Sequence, residues 1–176
     1  MTNSEERSNI VEAPFTEAMV KSAKGKAKRL GEIKNSILKG KGNFAGYLGE
    51  SIVAEYIGAK IVSNKRGEEK YNHDLVLDNK TIEVKTKRRT VPPKDFYDAS
   101  VAHTSRHQNP DFYVFVSIQF QGDKPVKAWI CGQKKSTEYF KQATFYAKGD
   151  VDPSNGWKVL TDCYNLSYKD LDQLGL

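Results

Sequence analysis

From Phe15 to Lys39, the apolar residues Met19, Ala23, Ala27, Leu30, Ile33 and Ile37 recur at helical spacing and predict a first helix. Gly40-Lys41-Gly42-Asn43 breaks it, and a second helix begins near Phe44. That helix carries two apolar stripes: Phe44, Leu48, Ile52 and Tyr56 on one side, Gly46, Val53, Ala54 and Ile57 on the other. A helix apolar on both sides is mostly buried. Glu50 interrupts the second stripe, and acids are almost never fully buried without a partner. Either an arginine neutralises it in the core, or a window of small residues delivers it to a site on the sheet. Gly46 and Gly49 would let the helix come close to that sheet.

The helical period then gives way to a period of two. Ile61-Val62 predicts a short strand, and residues 64–70 a charged turn. Between Asp74 and Lys85, two apolar-rich runs flank Asp78-Asn79, residue types that tolerate the left-handed backbone of a tight hairpin turn. With that turn, Leu77 faces Lys80, Val76 faces Thr81, Leu75 faces Ile82, and Asp74 faces Glu83. Residues 94–109 read as loop, with helical tendency around Phe96 to Val101. Phe112 to Ile118 is β-branched and aromatic throughout, as a central strand covered on both faces should be. Gly122-Asp123 turns the chain into a partner strand at Val126 to Ile130, and Ser136 to Lys148 predicts a helix. Residues 150–156 make a polar loop, Cys163 to Leu166 extends briefly, and Tyr168 to Leu174 closes as a short helix. The order predicts an α/β fold, a mixed central sheet flanked by helices. Residues 1–43 make a disordered leader, to about Pro14, and a basic helical arm; residues 44–176 make a single domain.

Charge adds a partner class. The 176 residues are 38% hydrophobic and 28% charged, with a net charge of +6, which favours a polyanion such as nucleic acid. No apolar run approaches the length of a membrane span, and the first residues lack the stretch of a secretory signal. Two distant cysteines, Cys131 and Cys163, fit a reduced compartment, so the cytoplasm is expected. Eight Lys and Arg against the single acid Glu32 lie between Lys21 and Lys41. They form either a solvated helix face or an arm along a phosphate backbone, with Lys24, Lys28 and Arg29 as its contacts. A second basic group, Lys87-Arg88-Arg89, leaves the hairpin just before Pro92-Pro93. His103, Arg106, His107 and Gln108 gather in the following loop as phosphate or base contacts. The two histidines have a metal-compatible spacing on a helix, but no cysteine or third histidine supports zinc.

The hairpin carries the candidate chemistry. Opposed strand residues hold their Cβ atoms about 4.5–5.5 Å apart. Two carboxylates placed so would repel, and a divalent cation between them would reverse that cost. Alternation puts Lys85 on the face of Glu83, while Leu75, Ile82 and Val84 point to the other. The competing explanation is an ordinary surface charge cluster, of little energetic consequence.

Asp74, Glu83-Val84-Lys85, and Glu50 in the preceding helix Gly46-Tyr47-Leu48-Gly49-Glu50 together resemble the PD-(D/E)XK nuclease superfamily. The strand Asp111 to Ile118 and the strand and helix after it fit that family's order, so residues 44–145 or so are covered. The usual Pro before the first Asp is replaced by His73. The resemblance implies a restriction-endonuclease-like core and a Mg²⁺ site, with Mn²⁺ able to substitute. Asp74, Glu83, the Val84 carbonyl and Glu50 would be the ligands, and Lys85 would stand beside the attacking water. It implies a DNA endonuclease, homing or restriction-like on duplex DNA, similar to the compact nucleases of phages, mobile introns or restriction systems. A Holliday junction resolvase or other structure-specific nuclease is the alternative, as is a non-catalytic nucleic-acid-binding module on the same fold. Lys87, Arg88 and Arg89 would clamp substrate phosphates, and a homodimer or higher homo-oligomer would suit cutting two strands.

Overall fold

The computed structural model describes residues 8–34, 41–62 and 74–176. Its centre is a mixed six-stranded sheet built from β1 (Val11–Ala13), β2 (Lys60–Ile61), β3 (Leu75–Leu77), β4 (Lys80–Arg89), β6 (Phe112–Gln121) and β7 (Lys124–Lys135). Across the sheet the strands lie in the order β1-β7-β6-β4-β3-β2. Only β4 and β6 run parallel; the other neighbours are antiparallel. Leu75 pairs with Ile82, Val76 with Thr81 and Leu77 with Lys80, as predicted, but the ladder ends there and the expected fourth pair, Asp74 with Glu83, is not part of it. Asp78 and Asn79 both have positive φ, 48° and 62°, as a two-residue turn matched to strand twist requires.

The two helices cover one face. Thr16 caps α1 (Glu17–Lys34), its Oγ1 accepting the Met19 N–H at 3.2 Å. Ala23 and Ala27 of α1 are buried, so this helix packs its small face into the core instead of standing off as an arm. Val11–Ala13, expected in a disordered leader, adds an edge strand to β7. Against α1 lies α2 (Lys41–Ile57), which begins before the expected Phe44 and buries Phe44, Leu48, Ile52 and Val53 on β-branched residues of β4 and β6. Full burial of each such side chain is worth about 1.5–3 kcal/mol. Tyr56, assigned to the first stripe, is instead exposed. The charged turn 64–70, His73, and the end of the first predicted helix past Lys34 lie outside the described residues.

A second sheet, not predicted, covers the opposite face. It consists of β5 (Asp98–Ala102), β9 (Cys163–Ser167) and β8 (Thr144–Tyr146) in that order, all antiparallel. Residues 98–102, expected as loop with helical tendency, are therefore strand, and a six-residue 3-10 helix, His103–Gln108, follows. The expected helix 136–148 stops early: α3 is Ser136–Gln142, and the chain then extends into β8. The closing helix shrinks to a 3-10 turn, Tyr168–Asp170. Asp98, Ala99 and Ala102 have little strand propensity of their own, and pairing with distant β9 decides their conformation. Between the sheets lies an aromatic core of Tyr113, Phe115, Tyr139, Tyr164 and Tyr168. The Tyr139 hydroxyl lies between the carbonyls of Ala99 (2.8 Å) and Tyr164 (2.9 Å), tying α3 to both β5 and β9. Helices thus flank one face of the main sheet, and a small sheet with α3 flanks the other. Among the described helices none is long and apolar enough to cross a membrane.

Candidate metal and phosphate site

The site forms where β3 ends and β4 continues. The last paired residues of the two strands are Leu75 and Ile82, and the Asp74 N–H then donates to the Ile82 carbonyl at 3.0 Å. Past that point the Asp74 carboxylate takes the place of a ladder partner: its Oδ2 accepts the Val84 N–H at 2.9 Å. A strand residue in an antiparallel pair directs its N–H and C=O to the same neighbour, so the Val84 carbonyl faces this edge too. Glu83 lies nearly buried on the other side of the strand from Val84, its Oε1 accepting from Lys85 Nζ at 3.0 Å.

Glu50 arrives from α2. The cause is Gly49: a Cβ there would stand 2.0 Å from Thr86 Oγ1 on β4. Helix and strand therefore touch at this point, and the next residue is held at the strand's edge. Gly46 has open space around it, so the close approach belongs to Gly49 alone.

The three carboxylates lie within one another's field. Burial raises the pKa of Glu50 to about 8, reinforced by the Asp74 charge and opposed by Lys26. Burial and Asp74 raise that of Glu83 to about 7, against the pull of Lys85. Asp74 is raised by burial, but the Val84 N–H, Lys85 and hydrogen bonds from Glu83 and Glu50 hold it down. All three are thus raised by burial within one another's field, and the set titrates as one unit. Among the described residues no three Asp, Glu, His or Cys side chains form a ready-made metal cage. The donor set nevertheless fits a hard cation: it is all oxygen, over-rich in negative charge, and open to the water and phosphate oxygens that Mg²⁺ retains.

Lys85 is shared. Its Nζ also donates to Gln108 Oε1 at 3.2 Å, and its side chain is 22% exposed. The 3-10 helix thereby brings Gln108 to the site. Its other members point elsewhere: Arg106 donates to the Tyr164 hydroxyl at 2.6 Å, and His103 Nδ1 lies 3.3 Å from the same oxygen. His107 is exposed. A 3-10 helix stacks residues three apart, so His103 and His107 do not share a line.

The basic exit of the hairpin divides. Lys87 continues the face of Glu83 and Lys85, where its Nζ donates to Ser100 Oγ at 2.8 Å; burial lowers its pKa to about 8. Arg89 donates to Ser117 Oγ (2.8 Å) and the Tyr168 hydroxyl (2.9 Å), its guanidinium 4.5 Å from the Tyr97 ring centre. Arg88 turns to the helical side, covers Phe120 at 4.0 Å and bonds the Gly122 carbonyl and Asp123. The three cations expected as one clamp therefore hold three different parts of the fold. Lys24, Lys28 and Arg29 are exposed on α1, with Lys24 Nζ 5.7 Å from the centre of Phe44. Lys26, which no sequence signal distinguished from its neighbours, is the α1 cation facing Glu50.

Asp98 and Asp152, also not anticipated, form a second acidic pair. Asp98 Oδ2 accepts Asn155 Nδ2 at 2.7 Å, and Asp152 accepts Asn165 Nδ2 at 3.0 Å together with the Ser154 N–H and hydroxyl. Their hydrogen-bonding partners come from loop and β9, and no spacing in the sequence announces them.

Compared with known protein families and with curated proteins, the chain matches no family model and no curated sequence.

Proposed function

We propose that this chain is a divalent-metal-dependent DNA endonuclease of the PD-(D/E)XK type. One observation carries it: buried Glu83 and half-buried Glu50 and Asp74 converge, mutually repelling, at the Val84 edge of β4, with Lys85 beside them. Folding keeps such an arrangement only at a cost, which a bound cation would offset. Asp74, Glu83 and the Val84 carbonyl would hold Mg²⁺ or Mn²⁺, with Glu50 directly or through water. When bound, such an ion supplies Lewis acidity to a phosphodiester and lowers the pKa of a water.

The chain's own groups do the rest. Lys85, held by Glu83 and Gln108, would sit against the scissile phosphate and stabilise the charge that builds on it. Glu50, holding the ion through water, would be placed to receive the proton of the attacking water. The exposed cations Lys24, Lys28 and Arg29 would draw the duplex toward the helical side. Two copies acting on two strands suit a duplex substrate.

The deciding experiment incubates the protein with plasmid, single-stranded and branched DNA, with and without Mg²⁺. Metal-dependent nicking or linearisation of plasmid is expected. Preference for branched DNA would move the substrate toward junction resolution. Binding of all three without cleavage, or cleavage indifferent to chelator, would overturn the proposal.

A further inference from the structure

Along the face of β4 that carries Glu83 and Lys85, the next outward residue is Lys87, about 7 Å further along the strand. A cavity of about 240 Å³ reaches from Lys85 past Lys87 and Ser100. It shares Lys87, Asp98 and Ser100 with a larger groove of about 910 Å³, which extends to Tyr97, Trp157 and Leu160. Lys85 thus lines the smaller of two adjoining cavities, and the far end of the larger one is lined by aromatic and aliphatic side chains.

Trp157 is 63% exposed and Leu160 71%. Their exposure is not that of a loose loop. Asp152, 2% exposed, pins the segment: its side chain accepts from Ser154 and Asn165. Its backbone N–H donates to the Trp157 carbonyl at 2.9 Å, and its carbonyl accepts the Gly156 N–H at 2.8 Å. Trp157 N–H in turn donates to Asn155 Oδ1 at 2.9 Å. The backbone that carries the indole is thus ordered before any ligand arrives, which lowers the cost of meeting one.

We propose that this groove seats an unstacked nucleobase of the DNA strand being cut, stacked on Trp157, with Lys87 beneath its sugar-phosphate. The inference rests on the proposed nuclease activity and adds a substrate feature to it: one nucleotide flanking the scissile phosphate is taken out of the helix stack. Three features favour a base over another occupant. The groove adjoins the cavity that Lys85 lines, its wall carries a second cation, Lys87, in line with the first, and its volume lies within the range of small-ligand sites, about 300–1,000 Å³. Base–aromatic stacking needs only a π-face, so the same pocket would accept every base.

The test uses tryptophan emission in the full chain without metal, with a twelve-nucleotide oligo-dT strand as probe. Trp157 and Trp129 are the two tryptophans. Quenching is expected in the wild type and in Trp129→Phe but not in Trp157→Phe, and Trp157→Ala should bind the strand roughly tenfold more weakly. Quenching that survives Trp157→Phe, unchanged affinity in Trp157→Ala, or no quenching at all would overturn the groove assignment. Plasmid cleavage in Mg²⁺ on the same preparations separates the two ideas. If the wild type quenches but never cleaves, the groove stands and the nuclease proposal fails. Undiminished cleavage and unchanged strand affinity in Trp157→Ala remove the groove alone.

Discussion

Two groups of carboxylates face the same strand, β4, and they are held in opposite ways. Asp98 and Asp152 are supplied with donors: Asn155, Asn165 and both Ser154 groups. Burial pushes Asp152 up, but the Ser154 bonds outweigh it and leave its pKa below the ordinary carboxylate value. Asp98, raised to about 6 by burial and by Asp152, absorbs what repulsion remains. At the other end of the face, Glu50, Asp74 and Glu83 have, among the described residues, one N–H and one lysine between them as near partners, with Lys26 beyond. The first group anchors a loop. The second is incomplete without something positive, and that contrast, more than the presence of acids, is what points to chemistry.

The sharpest way to break the comparison is by activity. Glu83→Ala or Lys85→Ala should lower plasmid cleavage by about 10³-fold, while DNA affinity in chelator stays within about threefold of wild type. Asp98→Asn should cleave at close to the wild-type rate. Equal losses in both groups would show that the contrast in bonding has no functional meaning.

Metal-linked stability comes next. Mg²⁺ at a hundredfold excess over its Kd should stabilise the protein by about 2.7 kcal/mol, read as a rise in melting temperature. Asp74→Asn should abolish the rise and Asp98→Asn should keep it.

The pH dependence is a smaller effect with a definite sign. Glu50 and Glu83 have folded pKa values of about 8 and about 7, above the ordinary glutamate value of 4.5. The folded chain therefore holds more protons than the unfolded chain between those limits, and stability falls as pH rises through the window. Each group contributes at most about 1.4 kcal/mol per pH unit while it titrates. Asp98 acts in the same direction, but only up to about pH 6. Urea unfolding of metal-free protein at pH 5, 6.5 and 8 should show a continued fall to pH 8 that Glu50→Gln lessens and Asp98→Asn leaves.

Salt dependence sharpens a parallel contrast among the cations. Lys28→Ala or Arg29→Ala should flatten the log–log salt slope of duplex binding by about 0.9 for each phosphate that is no longer neutralised. Arg89→Ala should leave the slope alone and cost roughly 1–3 kcal/mol of stability, because the buried Ser117 and Tyr168 hydroxyls would lose the charged donor they share.

What was legible in the sequence follows the range of the forces involved. The β3–β4 register could be read because Asp78 and Asn79 fix it locally through positive φ. Glu50 stood out because a charge interrupts an apolar stripe, and its place beside Asp74 follows from Gly49 meeting Thr86. The second sheet could not be read: Ala99 and Val101 become strand only because Leu166 and Tyr164, far along the chain, pair with them. The roles of Lys87 and Arg89 were hidden for the same reason. Both lie on the face of Lys85, but Ser100 and Tyr168, which occupy them, come from segments whose structure is decided at long range.

The tight turn at Asp78-Asn79 also sets an order of events in time. A hairpin of this kind closes in about 1–10 μs, whereas pairing β5 with β9 must first close a loop spanning residues 102–163. The acids should accordingly meet while still bathed in water, and only later be enclosed as the 3-10 helix brings Gln108 against Lys85. Pulse-labelled hydrogen exchange should find amides of residues 80–84 protected before those of 98–102 and 163–167. Assembly in that sequence lets the chain bring like charges together when solvent still screens them, and defers their desolvation to a stage when the rest of the native core can hold them in place.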